Sequence, residues 1–176
     1  MTDNLYTANG LWIYQMTGQD IPLFREYERK GAEDGFVAHQ KDEDHLAQMK
    51  NPDLLYVMFM DTETSEPIGY GLLCGLESQP RIIELRRLVI FKTNRGYGRK
   101  SVQLIKSYVF SGLEAHRLWL DVRAHNERAY HLYQSEGFVD EGTLREAVLL
   151  NGQFLDVKLL SVLKREYLAS GFKEGC

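Results

Sequence analysis

Residues 88–100 read LVIFKTNRGYGRK, and the rest of the chain organises around them. A run of branched apolar residues gives way to a short polar loop with two glycines. A helical pattern starts directly after it, with Val102, Ile105, Val109 and Leu113 recurring at the helical period. Strand, loop and helix therefore follow one another. At such a junction the first backbone N–H groups of the helix have no intrahelical partner. The positive end of the helix dipole lies there too, so the junction favours an anion. Gly96 and Gly98 can take positive φ and let backbone approach a phosphate closely. Arg95, Arg99 and Lys100 add positive charge within one turn. Taken alone, glycines serving a tight turn account for the loop nearly as well as phosphate binding does. The spacing is neither G-x-x-x-x-G-K-S/T nor G-x-G-x-x-G.

Upstream, Ile82–Phe91 is a long strand. Before it, Leu54–Met60 (LLYVMFM) and Ile68–Leu76 (IGYGLLCGL) pair as a hairpin across the polar turn Asp61–Glu66. Leu11–Met16 (LWIYQM) is the first predicted strand. Asp20 then caps a helix with Pro22 in its first turn and Leu23, Phe24 and Tyr27 on its apolar face, and Gly31 stops it. A second short helix spans Glu43–Lys50 before Asn51-Pro52 breaks it. Downstream, Arg117–Val122 (RLWLDV) is a strand, and Asn126 caps a helix that Gly137 ends. Phe138–Leu149 and Phe154–Leu163 are strands joined by Asn151-Gly152, a strong hairpin signal. The order β-α-α-β-β-β-α-β-α-β-β predicts an α/β fold, one domain over 1–176, with a mixed sheet carrying helices on its faces.

Composition narrows the function classes. At 176 residues, 44% hydrophobic and 26% charged, the chain suits one ordinary globular core. The N-terminus has no basic start or apolar run, and no stretch approaches the roughly 20 apolar residues that span a bilayer. A cytoplasmic protein without membrane partners is the expectation. Two cysteines, Cys74 and Cys176, with no CxxC or HExxH, point to neither disulfides nor a metal. A net charge of −4 does not suggest nucleic acid and is weakly compatible with a cationic substrate.

The second informative segment is NERAYHLYQSEGF, 126–138. Asn126 and Tyr133 are seven residues apart, two helical turns on one face, separated by roughly 10 Å. An extended ligand arm beside this helix would meet an amide at one end and a phenol at the other. An N-cap and a core aromatic account for the same two residues individually. Together the segments carry a resemblance. RGYGRK after LVI resembles the Q/R-x-x-G-x-G/A signature of the GNAT N-acetyltransferase superfamily. Asn126, Ala129, Leu132, Tyr133, Gly137 and Phe138 resemble its second signature, in the right order and with a strand between. The closing REAVLLNGQFLDVKLLSVL looks like the ribosomal-protein alanine N-acetyltransferase branch. Two positions depart: Lys100 stands where the first signature has Gly or Ala, and Lys92 replaces a frequent Pro.

The resemblance implies a mostly antiparallel mixed sheet, splayed between the fourth and fifth predicted strands, with flanking helices. It implies transfer of an acetyl group from acetyl-CoA, a co-substrate, to a primary amine: a protein N-terminus, polyamine, amino sugar or antibiotic. It also suggests a homodimer. Leu88, Val89 and Ile90 would pair with the pantetheine arm. Arg95, Gly96, Tyr97, Gly98, Arg99 and Lys100 would hold the pyrophosphate, and Asn126 would contact the arm. Tyr133 would lie near the sulfur, and its phenol pKa near 10 suits proton donation to a thiolate near 8.5. The attacking amine must be neutral, so a base is needed. Asp121 and Glu84 are the candidates, and each could instead pair with Arg86, Arg87 or Arg123. Backbone N–H at Val89 or Ile90 could stabilise the oxyanion. Arg86 and Arg87 could recognise an acceptor carboxylate or simply pair with Glu84. Glu33, Asp34, Asp42, Glu43 and Asp44 read more simply as helix-start acids and a solvated loop than as an acceptor pocket. The alternatives are a non-catalytic acyl-CoA-binding module and, less compatible with the motifs, a general nucleotide-binding protein.

Overall fold

The structure is a computed structural model and describes residues 3–33 and 40–171; the expectations at Asp34 and Cys176 lie outside these residues. The chain runs β1 (Asn4–Ala8), β2 (Leu11–Gln15), α1 (Ile21–Glu33), α2 (Asp42–Met49), β3 (Leu54–Asp61), β4 (Pro67–Cys74), β5 (Ile82–Ile90) and α3 (Tyr97–Ser107). It continues with β6 (Arg117–Arg123), α4 (Glu127–Ser135), β7 (Val139–Leu150), β8 (Gln153–Leu163) and α5 (Lys164–Ala169). The eight strands form one sheet in the order β1-β2-β3-β4-β5-β6-β8-β7. Every pairing is antiparallel except β5 with β6.

Both faces of the central strands are buried, which is why LLYVMFM is apolar throughout rather than alternating. Leu55, Val57 and Phe59 of β3 join one core with Val102, Ile105 and Val109 after β5, and with Leu118, Leu120 and Val122 of β6. Tyr56 and Met58 point the other way, into a second core with Ile21 and Phe24 of α1. Helices α3 and α4 thus cover one face and α1 the other. At Gly69 a Cβ would come within 2.4 Å of the Val89 carbonyl oxygen, so glycine permits close approach of β4 to β5.

Several local expectations are corrected. A 3-10 turn over Gly18–Asp20 precedes α1 and is capped by Thr17: its Oγ1 accepts from the Gln19 N–H, and the Asp20 carboxylate closes the box by accepting from the Thr17 N–H at 2.7 Å. Gly31 does not stop α1, which runs to Glu33. Strand β4 ends at Cys74, short of Leu76. The helix after the glycine loop widens into a π-helical turn over Tyr108–Gly112. Strand β1 and helix α5 were not expected at all. The former is a short, mostly exposed edge strand, and the latter has only six residues.

What positions the site is the divergence of β5 and β6. They pair in parallel only at Ile82–Arg117, Ile83–Leu118 and Glu84–Trp119. Beyond these, β6 stays bonded to β8 through Arg123, while β5 stays bonded to β4 through Ile90. The expected splay is therefore present, with its vertex at Glu84. Within β5, Leu85 pairs with Leu73 but Arg87 pairs with Leu72, so Arg86 is an extra, bulged residue. The bulge flips the alternation. Ile83 and Leu85 pack with α3 and α4, whereas Val89 packs with α1, an even number of residues away.

Candidate active site

Two cavities follow the open wedge and share Leu88, Asn126, Ala129 and Tyr133. One, of about 480 Å³, runs along Leu88, Val89 and Ile90 to the loop before α3. The other, of about 310 Å³, lies deeper between the two strands and reaches Asp121, Val148 and Val157.

The first cavity carries the anion site. Gly96 caps α3 at φ +75°, a left-handed conformation that glycine adopts without penalty. No side chain caps this end. The first bond of the helix is Lys100 N–H to the Gly96 carbonyl, so the Tyr97, Gly98 and Arg99 N–H groups open onto the cavity they line. The unpaired edge of β5 at Leu88–Ile90 runs up to the same point, where an extended ligand arm could add as a short strand. These features fit an acyl-CoA: backbone for the arm, a helix N-terminus for the diphosphate.

Most of the expected cofactor residues line this cavity: Leu88, Val89, Ile90, Gly96, Tyr97, Gly98, Arg99, Asn126 and Tyr133. Arg95 and Lys100 do not. The Lys100 ammonium lies 5.8 Å from the Tyr97 ring centroid. The Arg99 guanidinium is also diverted, because it pairs with the buried Glu136 at the end of α4, leaving its N–H as the group that faces an anion. Lys92, Thr93, Asn94 and Arg128 line the cavity without having been expected there. Arg128 donates to Asn94 Oδ1 at 3.1 Å, tying α4 to the loop. A cation two residues past the Asn126 cap was the available sequence signal. Asn126 does cap α4, its Oδ1 accepting from the Ala129 N–H at 3.2 Å, so its Nδ2 is the end left for a ligand.

The second cavity holds the candidate chemistry. Tyr133 is 8% exposed, and among the described residues its hydroxyl makes no hydrogen bond. Burial, and then the nearby Asp121 charge, push the phenol well above its ordinary range, so it stays protonated. Asp121 is raised as well, first by desolvation and then by the neighbouring Glu84 carboxylate. The two candidate bases now differ. Glu84 is gripped by Arg86, with Nη2 at 2.8 Å and Nε at 3.3 Å from its two oxygens. Asp121 makes no ion pair among the described residues. Leu118, Leu120 and Val122 point to the α3–α4 face, so by alternation Trp119, Asp121 and Arg123 point to the α1 face. Tyr133 approaches the wedge from one face and Asp121 from the other.

A buried network that the sequence did not reveal backs this wall. Glu28 of α1 is 1% exposed; it pairs with the Arg87 guanidinium, accepts from Tyr70 at 2.8 Å and lies 2.9 Å from His45 Nε2. His45 Nδ1 lies 3.0 Å from the Tyr56 hydroxyl. Burial works against the Glu28 charge, but its hydrogen bond with His45 and the Arg87 charge more than offset it, and its pKa falls below the usual range. The acid-rich segment serves other ends: Asp42 pairs with Arg25, Glu33 with Arg29, and Asp44 accepts from the Lys41 N–H.

Comparison with known proteins is consistent with this geometry. The spermidine N(1)-acetyltransferase of Vibrio cholerae serotype O1 (strain ATCC 39315 / El Tor Inaba N16961) is 38% identical over 42% of this chain and 43% of its own length. YdaF of Bacillus subtilis (strain 168), whose name assigns it provisionally to ribosomal N-acetyltransferases, is 29% identical over 55% of this chain and 57% of its own. The chain thus matches about half the length of these curated relatives. The ribosomal branch expected from the closing segment is met at lower identity than the spermidine one. A crystal structure of spermidine N-acetyltransferase from Vibrio cholerae in complex with CoA and spermine superposes with a TM-score of 0.79 at 23% identity, covering 90% of this chain and 98% of that one, and shares the fold. A family model described as the acetyltransferase (GNAT) family matches residues 20–138, well over half of the sequence. With that match, the chain belongs to the acetyltransferase (GNAT) family.

Proposed function

We propose that this chain transfers an acetyl group from acetyl-CoA to a primary amine, with Asp121 as base and Tyr133 as donor to the departing thiolate. The observation that carries it is the pair itself. An acid and a phenol that, among the described residues, make no ion pair and no hydrogen bond respectively flank the unpaired segment of β5 from opposite faces. The thioester would lie along Leu88–Ile90 with its carbonyl near the Val89 and Ile90 N–H groups. The amine enters from the Asp121 side and loses its proton to that carboxylate. A raised carboxyl pKa makes Asp121 a better proton acceptor than an ordinary Asp. On the far side Tyr133 meets the sulfur. Its raised pKa makes full proton transfer uphill at first, so it acts as a hydrogen-bond donor whose contribution grows as thiolate charge develops. Glu84 is held by Arg86 and shapes the Asp121 charge rather than taking the proton.

The names of the relatives support spermidine and a ribosomal substrate as acceptors to try first. The test is release of free CoA thiol from acetyl-CoA on a panel of spermidine, amino sugars and peptides with free N-termini. Thiol release that depends on an amine supports the proposal. Tight acetyl-CoA binding with no turnover on any amine favours a non-catalytic acyl-CoA-binding module instead.

A further inference from the structure

The start of α3 and the end of α4 are joined by a buried carboxylate that the transfer chemistry does not use. Glu136 is the C-terminal cap residue of α4, three positions after Tyr133, and its side chain is 2% exposed. One of its carboxylate oxygens accepts from the Arg99 guanidinium, in the first turn of α3. The other lies 3.6 Å from the Lys106 ammonium, which also donates to the Glu136 carbonyl oxygen at 2.5 Å. Arg99 and Lys106 are seven positions apart, so they stand two turns apart on one face of α3. Glu136 therefore grips α3 at two levels. Just before Arg99 the two helices lie close: a Cβ at Gly98 would meet Leu132 Cδ2 of α4 at 3.4 Å.

Lys106 is buried, and desolvation pulls its pKa below the usual range while the Glu136 charge opposes that shift. The carbonyl it reaches is an orphan of the α4 end, where the helix dipole favours a cation. The last turn of α4 is itself fixed at Tyr133, whose carbonyl accepts from the Glu136 N–H at 3.1 Å and from the Phe138 N–H at 3.0 Å. The phenol on α4 and the N–H groups at Tyr97–Arg99 on α3 are thus set relative to each other through the same carboxylate.

We infer that Glu136 is a positioning residue with two effects on the donor site. It draws the Arg99 guanidinium off the diphosphate, leaving the α3 N–H groups to bind it. It also sets the start of α3 against Tyr133, so that a thioester whose diphosphate sits on the loop ends at the phenol. This rests on the N-acetyltransferase reading above. Arg99 lines the anion cavity beside those N–H groups, so its side chain reaches an anion once released. A guanidinium fork on a diphosphate holds it more tightly than backbone alone. Tighter ground-state binding does not speed the transfer. Misplacing the reacting groups by about 1 Å, in contrast, costs up to about 10²-fold in rate.

The test is a double-mutant cycle on Arg99→Gln and Glu136→Gln in the full chain. Titration calorimetry gives CoA affinity. Acetyl transfer to the best amine of the panel is followed in a single turnover, which product release does not enter. Arg99→Gln alone should weaken CoA binding by less than about 3-fold, because its charge is already paired. Glu136→Gln should tighten CoA by about 3-fold or more and steepen its salt dependence, while the transfer rate falls about 10-fold. In the Glu136→Gln background, Arg99→Gln should then weaken CoA by about 10-fold or more. A general loosening of the fold would lower affinity and rate together, so the opposite signs mark positioning. Circular dichroism and melting check that the variants fold. CoA binding that fails to tighten in Glu136→Gln, an unchanged transfer rate, or an equal effect of Arg99→Gln in both backgrounds overturns the inference. If Glu136→Gln does not fold, Arg99→Gln decides alone: the transfer rate should fall about 5-fold at near-constant affinity. A loss of CoA affinity of about 10-fold or more in that variant, or an unchanged rate, then overturns it. Failure of the underlying activity looks different: wild type itself would transfer no acetyl group to any amine.

Discussion

Replacing Tyr133 with Phe separates chemistry from binding and from stability. The substitution removes one oxygen. In the structure that oxygen bonds nothing among the described residues, so its loss leaves no buried partner unsatisfied. The ring keeps its contact with Phe138, 5.6 Å between centroids. Stability should therefore hold, with a melting temperature within about 2 °C of wild type, a shift corresponding to a few tenths of a kcal/mol. The open β5 edge at Leu88–Ile90 and the Gly96–Arg99 loop are untouched, so acetyl-CoA affinity should change by less than about 2-fold. Turnover should fall by about 10²-fold, or about 2.7 kcal/mol, the size of one hydrogen bond to a developing thiolate. Steady-state kinetics on the best amine, calorimetric titration of acetyl-CoA and thermal melting give the three numbers. A kcat within about 3-fold of wild type would remove the phenol from the mechanism. A fall in melting temperature of many degrees would assign it a packing role instead.

Asp121→Asn should lower kcat/KM by about 10²-fold and abolish an acid limb whose midpoint in the wild type lies above the ordinary Asp value of 3.8. Because the folded carboxyl binds its proton more tightly than the unfolded one, the charge opposes folding above that midpoint, and the variant should be as stable as wild type or more so at pH 7. Glu28→Gln removes the carboxylate that pairs with the buried Arg87 guanidinium and should cost about 3–5 kcal/mol in urea unfolding at pH 7. The Glu28 pKa is depressed, so its stabilisation is present above about pH 4.5 and lost as pH falls through the folded value; the gap between variant and wild type should shrink in acid. Gly96→Ala places a Cβ in open space but keeps φ at +75°, so any effect is conformational: about 1–2 kcal/mol of strain, read as weaker CoA binding if the loop relaxes.

Legibility in the sequence followed distance along the chain. The β5–α3 junction and the Asn126–Tyr133 helix are local patterns with fixed spacing, and both stand as expected. Buried strands were visible because apolar runs bounded by turns leave few other readings. The Glu28 network was not visible. It joins α1 to His45, 17 residues on, and to Arg87, 59 residues on, and nothing local marks a glutamate as buried. The bulge at Arg86 was equally hidden, because strict alternation would send Arg86 and Arg87 to opposite faces. That one extra residue sets both arginines toward the α1 face. Lys100 was misplaced for a related reason: charge near a phosphate loop is readable, but the direction of a long side chain from a helix is not.

On the proposed function, the open wedge between β5 and β6, with the start of α3 at its end, receives coenzyme A. Titration calorimetry of CoA into the full chain tests it without any acceptor. One site per chain is expected, with a dissociation constant on the order of micromolar to sub-millimolar and weaker binding as salt rises. No saturable heat at millimolar CoA, or binding that Gly96→Ala and 0.5 M salt together leave unchanged, would contradict it.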